Sequence, residues 1–211
     1  GTLQKLSGTM AGTGVVLGSK WSPDGERVAY VADAATSGLF EVFVSTRTSP
    51  SPVKLSGTTV SGGSAALPGA NGSLADLAWS PDGEHLAWLG DGRIDGTVEL
   101  LVAPTDGSTA PVAPAGTAQT GADVATFAWA PDGQSLAWAG DRNQDGVYEL
   151  FVGAADGTGQ PVVRSGAQVA NADVLRFSWS PDGSRLAFVS ARRSPTLLEV
   201  YVADAIGTTD P

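Results

Sequence analysis

Residues 20–33 read "KWSPDGERVAYVAD", and nearly the same words return at 78–91 as "AWSPDGEHLAWLGD", at 128–141 as "AWAPDGQSLAWAGD" and at 178–191 as "SWSPDGSRLAFVSA". Trp21, Trp79, Trp129 and Trp179 mark intervals of 58, 50 and 50 residues. Self-similarity at such a period is the signature of a repeat architecture. In each copy an apolar stretch ending near Trp runs into Pro-Asp-Gly, whose proline presets φ and whose glycine accepts a positive φ, so a tight hairpin turn is expected there. The run that follows alternates: in "EHLAWLG", Leu86 and Trp88 share one face while Ala87 and Leu89 take the other, as a strand requires. A third run reads "LFEVFV", "TVELLV", "VYELFV" or "LLEVYV", and a short fourth reads "PVKLSG", "APVAP" or "QPVVRSG". Four strands per unit make one blade, so the fold class is all-β, a small β-propeller of four four-stranded blades.

The blades fall at about 14–57, 73–115, 122–165 and 172–204 of a single domain spanning 1–211. The last unit has no fourth strand after "LLEVYVADAIGTTDP", whereas Leu3 to Gly8, "LQKLSG", looks like the fourth strand "VKLSG" at Val53 to Gly57. The expectation is that the N-terminal strand 3–8 completes the last blade and hides its edge. A monomer results; pairing of that strand in trans would instead give a strand-exchanged dimer.

A strand ending in Trp-Ser-Pro-Asp-Gly and followed by a Leu-Ala-aromatic strand resembles the TolB-type propeller repeats, and the likeness covers nearly the whole chain, four times over. That resemblance implies a periplasmic or extracellular location. TolB itself has a further α/β domain and six blades, which four repeats do not match, and the same repeat accompanies the catalytic domains of some serine peptidases.

Composition narrows the function classes. With 28 glycines, 13 prolines and no cysteine, the chain is turn-rich and carries neither disulfides nor thiolate metal sites. A net charge of -10 opposes binding to nucleic acid and to anionic lipid. No apolar run approaches the roughly 20 residues that cross a bilayer, and Gly1 in place of Met leads to the expectation of a processed or trimmed N-terminus.

The loop "DRNQDGVYE" at 141–149 raises a metal question, because Asp141, Asn143 and Asp145 alternate and Gly146 follows. In an EF-hand-type loop those are positions 1, 3, 5 and 6, with a carbonyl at 7, here Val147, and position 9 at Glu149. Hard oxygen donors and converging carboxylates favour Ca²⁺ over Zn²⁺ or Mg²⁺. The competing reading is an Asx-rich strand connection that hydrogen-bonds its own backbone. The equivalent loop of the second unit, "DGRIDGTVE", offers a weaker set, Asp91, Asp95, Thr97 and Glu99, with Arg93 in place of the central ligand as a built-in counter-ion. "DAATSGLFE" keeps Asp33 and Gly38, and "ARRSPTLLE" has no aspartate. Glu41, Glu99, Glu149 and Glu199 recur in every unit, so their shared role is architectural.

Other features read as scaffold. His85, the single histidine, stands where Arg27, Ser135 and Arg185 stand in the other units, an outward polar position without a nucleophile beside it. The six tryptophans read as packing between blades, and Asp76 with Arg176 as an ion pair or water site on the innermost strands. The connection Thr58 to Ser73 shares a rim with the metal loop. No catalytic constellation is visible. The sequence therefore predicts a non-catalytic binding or scaffold propeller, with structural calcium and a loop-rich face for a protein or glycan partner; a propeller lyase or hydrolase, or the regulatory part of a peptidase, is the alternative.

Overall fold

The computed structural model describes residues 3–10, 14–65, 77–116, 121–166, 168–169, 172–194 and 196–205. Every regular element among them is a strand. Blade 1 holds β1 (Val16–Trp21), β2 (Arg27–Ala32), β3 (Glu41–Thr46) and β4 (Ser49–Lys54), paired in that order. Blade 2 holds β5 (Leu77–Trp79), β6 (His85–Gly90) and β7 (Glu99–Pro104), and its fourth strand shrinks to a single bridge between Val102 and Val112. Pro111 and Pro114 flank that bridge and have no N–H for a ladder. Blade 3 comprises β8 (Val124–Trp129), β9 (Ser135–Gly140), β10 (Glu149–Ala154) and the short β11 (Val162–Val163). In blade 4, β12 (Val174–Trp179), β13 (Arg185–Ser190) and β14 (Glu199–Asp204) form a three-stranded sheet. These antiparallel sheets are the blades of a small β-propeller.

The turn chemistry read from Pro-Asp-Gly is present in all four hairpins. Gly25, Gly83, Gly133 and Gly183 have φ of 72°, 75°, 70° and 70°. The flanking polar residues serve the same turn: Ser80 Oγ donates to Asp82, accepts the His85 N–H at 2.9 Å, and Asp82 accepts the Glu84 N–H at 2.9 Å. Ser22 and Ser180 repeat the arrangement with Asp24 and Asp182. Blade 3 has Ala130 at this place and keeps the aspartate part alone, Asp132 accepting from Gln134.

The residues divide into two compact units, one within Gly1–Gly96 and Leu101–Val112, the other within Thr97–Leu100 and Ala113–Pro211. In the first unit, Trp79 Nε1 donates to Lys20 O at 3.1 Å, and the Arg27 guanidinium lies 5.5 Å from the Trp79 ring while reaching Thr105 Oγ1 at 2.6 Å. In the second, Trp179 Nε1 donates to Ala128 O at 3.2 Å, and Ala137, Ala139 and Leu150 of blade 3 share a core with Phe188 and Ala203 of blade 4. Both tryptophans thus join a blade to the one before it, as expected. Trp88 and Trp138 are instead buried in their own blades, the latter stacked on Phe151 with ring centroids 5.9 Å apart. Trp21 is 59 % exposed.

One expectation is corrected. Leu3–Gly8 is not a strand on the last blade: the Ser45 hydroxyl on β3 donates to Leu6 O at 2.8 Å, and Met10 packs against Tyr30, Ala32 and Phe43 of blade 1. β14 pairs with β13 and forms the edge of its sheet among the described residues. The physical reason is an available apolar surface on blade 1, where the stacked Tyr30 and Phe43 rings give Met10 a partner.

Candidate functional site

The acid loop of blade 3 is organised by Asp141, which is buried. Its Oδ2 accepts the Gly146 N–H at 3.0 Å and its Oδ1 accepts the Asp123 N–H, while Asp141 N–H returns a bond to Asp123 O at 3.1 Å. Gly146, at φ 72°, turns the chain so that its N–H reaches the carboxylate, and Val147 N–H closes the turn on Gln144 O at 3.0 Å. Asn143 Nδ2 donates to Glu149 Oε2 at 2.7 Å. Burial lifts the Glu149 carboxyl above its usual range, and the Asn143 bond opposes that shift. Asp145 is exposed and Val147 is buried. Asp141 therefore spends both oxygens on backbone donors, and Asn143 turns its amide nitrogen toward Glu149. No three acidic or histidine side chains among the described residues come together as a metal cage. These backbone bonds at Asp141 are those of an Asx-type connection.

The other blades repeat these backbone bonds. Asp33 accepts Val15 N–H and, at 2.9 Å, Gly38 N–H. Asp91 accepts Ser64 N–H at 2.7 Å and Gly96 N–H at 3.4 Å. One aspartate in each of blades 1 to 3 thus bolts the end of the second strand to a glycine of its own loop and to the chain entering the blade. In the weaker set, Asp95 is exposed with its carboxylate over Gly62, where an added Cβ would sit 2.6 Å from Oδ2, and Thr97 is buried, accepting Gly121 N–H at 3.3 Å. Arg93 is exposed and Glu99 buried. Blade 4 has Ala191, and there Ser194 N–H bonds Ala191 O at 2.9 Å instead.

Two further structural aspartates lie outside the loop pattern. Asp123 accepts Val98 N–H at 2.7 Å, and Asp173 accepts Tyr148 N–H at 3.0 Å, each tying the start of one blade to the third strand of the previous one. The signal was the recurring "ADV" at 122–124 and 172–174. The recurrent glutamates have different partners: Glu41 meets Lys54 Nζ at 2.8 Å, Glu149 meets Asn143 and Glu199 accepts the Tyr201 hydroxyl. Asp76 lies outside the described residues, as do residues 66–73 of the long connection.

Two hollows belong to these loops. In the second unit, Val98, Glu99, Ala113, Trp138, Gly140 and Arg142 help enclose about 20 Å³, room for one water. In the first unit, an open groove of about 420 Å³ is lined by Ser37, Leu39, Thr59, Val60, Ser61 and Gly62 among others.

The sequence profile of the lipoprotein LpqB β-propeller domain matches residues 51–210. The chain belongs to the LpqB lipoprotein β-propeller family. Solved structures similar to this LpqB-type propeller include a putative TolB from Agrobacterium tumefaciens (21 % identity, TM-score 0.52, covering 92 % of this chain and 62 % of that one). A puromycin-hydrolyzing peptidase from Mycobacterium tuberculosis gives 19 % identity and a TM-score of 0.55 over 87 % of this chain and 29 % of that one. An oligogalacturonate lyase in complex with manganese gives 14 % and 0.57 over 92 % and 51 %. At these identities the likeness carries the fold. This LpqB-type chain spans under two thirds of each of those proteins. No curated protein sequence matches it. No helix among the described residues is long and apolar enough to cross a membrane.

Proposed function

We propose that this LpqB-type propeller is a non-catalytic binding or scaffold module of the cell envelope, presenting its loop-rich rim to a protein or glycan partner. The observation that supports it most is the open groove in the first unit. Its lining combines the hydroxyls of Ser37, Thr59 and Ser61 with the apolar surfaces of Leu39 and Val60, which suits hydrogen-bonded recognition of a peptide or sugar. Among the described residues its lining holds no titratable side chain, which suits binding by hydroxyls and apolar surface. The envelope location rests on the family's lipoprotein description and on the TolB likeness.

Peptide and oligosaccharide arrays probed with the wild type and with Val60→Trp, which fills the groove, test the reading. Ligands bound by the first and lost by the second support it; identical profiles overturn it. The enzyme alternative draws on the peptidase and lyase likenesses. It predicts turnover of chromogenic peptides or oligogalacturonate, which the binding reading excludes. A calcium ion at Asp141, Asn143, Asp145, Val147 and Glu149 is the competing account of the rim, with the order of donors along the chain in its favour. Melting curves in excess calcium and in EGTA decide it: a higher melting temperature with calcium, abolished by Asp145→Ala, establishes the ion.

A further inference from the structure

Blade 4 differs from blades 1 and 3 at one definable place. In blade 1 the fourth segment delivers Leu55 N–H to Val42 O at 2.9 Å and Ser56 Oγ to Val42 N–H at 3.2 Å. In blade 3, Arg164 N–H reaches Leu150 O at 2.6 Å and Ser165 Oγ takes Leu150 N–H at 3.1 Å. Val200 is the equivalent of Val42 and Leu150, one residue after the recurrent glutamate. Val42 and Leu150 are fully buried, whereas Val200 is 73 % exposed, with Leu198 and Val202 exposed on the same face.

The chain also carries a segment of the form that fills such a place. Lys5-Leu6-Ser7-Gly8 repeats Lys54-Leu55-Ser56-Gly57 residue for residue, and Gly8 has φ 59° where Gly166, after Arg164-Ser165, has φ 63°. The charges match as well. Lys54 Nζ sits 2.8 Å from the buried Glu41 carboxylate, and Lys5 and Glu199 are the equivalents of that pair. Within one chain, however, the segment lies on β3 through Leu6 and Met10, while Leu3, Gln4 and Lys5 are exposed.

We propose that the fourth-strand position of blade 4 is an interaction site for a second copy of this chain, which supplies its Leu3–Gly8 segment along β14. Leu6 N–H then bonds Val200 O, Ser7 Oγ accepts Val200 N–H, and Lys5 pairs with Glu199. Reciprocal exchange closes the pair with two-fold symmetry and covers both exposed edges.

Solution mass by light scattering tests this, with circular dichroism confirming that each variant folds. The expected wild-type mass at high concentration is twice 21.3 kDa. Val200→Pro removes the docking N–H on an edge strand that tolerates proline, and Leu6→Pro removes the matching donor. Each variant alone is expected to be monomeric, and an equimolar mixture to dimerise, because one chain keeps the segment and the other the slot. Lys5→Glu weakens the dimer, and Lys5→Glu combined with Glu199→Lys restores it. A wild type that stays monomeric at every concentration reached, including one whose Val200 amide is protected by its own N-terminus, overturns the proposal. So does a dimer that survives Leu6→Pro, which would place the contact on the apolar face alone.

Discussion

An aspartate that accepts two backbone N–H groups responds to mutation differently from one that holds a metal. Replacing Asp141 by Ala strands the N–H groups of Asp123 and Gly146. The expected cost is about 1–3 kcal/mol, read from urea denaturation, and it is unchanged by added calcium. The turn aspartates give a pH signature. The Ser180 hydroxyl, then the Ser184 N–H, lower the Asp182 carboxyl to about 2, and Asp24 and Asp82 are lowered for the same reason, Ser22 and Ser80 acting first. A folded value below the unfolded one means that the contribution is fully present above the unfolded value, about 4, and is lost as pH falls through the folded value. Stability should therefore decline between about pH 4 and about pH 2. Ser180→Ala should flatten that decline, which chemical denaturation at a series of acid pH values would show. The acid loop was legible both as an ordered set of oxygens and as an Asx connection. Its spacing is common to an EF-type site and an Asx connection, and the donor that engages the second oxygen of Asp141, Asp123 N–H, lies 18 residues upstream, beyond the reach of a loop motif.

At the scale of the element, the contact between consecutive blades is carried by an indole. Trp79→Phe keeps the ring and loses the bond to Lys20 O, so a loss of roughly 0.5–1.5 kcal/mol is expected. Trp21→Ala, at a largely exposed ring, should cost under about 1 kcal/mol. Equal effects in thermal unfolding would refute the assignment. The hairpins themselves could be read in advance, because Pro-Asp-Gly specifies its turn through φ alone and needs no distant partner. The fourth strands could not be bounded: Ser49–Lys54 starts earlier than the apolar run, and the blade 2 segment between Pro111 and Pro114 keeps one bridge. Their pairing depends on single N–H groups and on serines such as Ser56 and Ser165, which strand propensity does not register.

For the molecule as a whole, the charge balance dominates behaviour in solution. With a net charge of -10 and an isoelectric point near 4.3, solubility should pass through a minimum close to that pH. Neither duplex DNA nor anionic vesicles should be retained at physiological salt; binding to either that weakens as salt rises would contradict this. The repeat count and the all-β class were readable because period and turn motif are local. The place of Leu3–Gly8 was not. A match to "VKLSG" says what kind of slot a segment suits and leaves open which neighbour it meets first, and the Tyr30 and Phe43 rings supply that neighbour through Met10. The exposure of Trp21, beside the fully enclosed Trp88 and Trp138, also gives the native protein its own optical reporter. Its long-wavelength emission should be quenched by neutral acrylamide while the enclosed indoles stay bright, so any molecule that settles over the leading side of blade 1 will announce itself as a loss of quenching, without a dye or a tag.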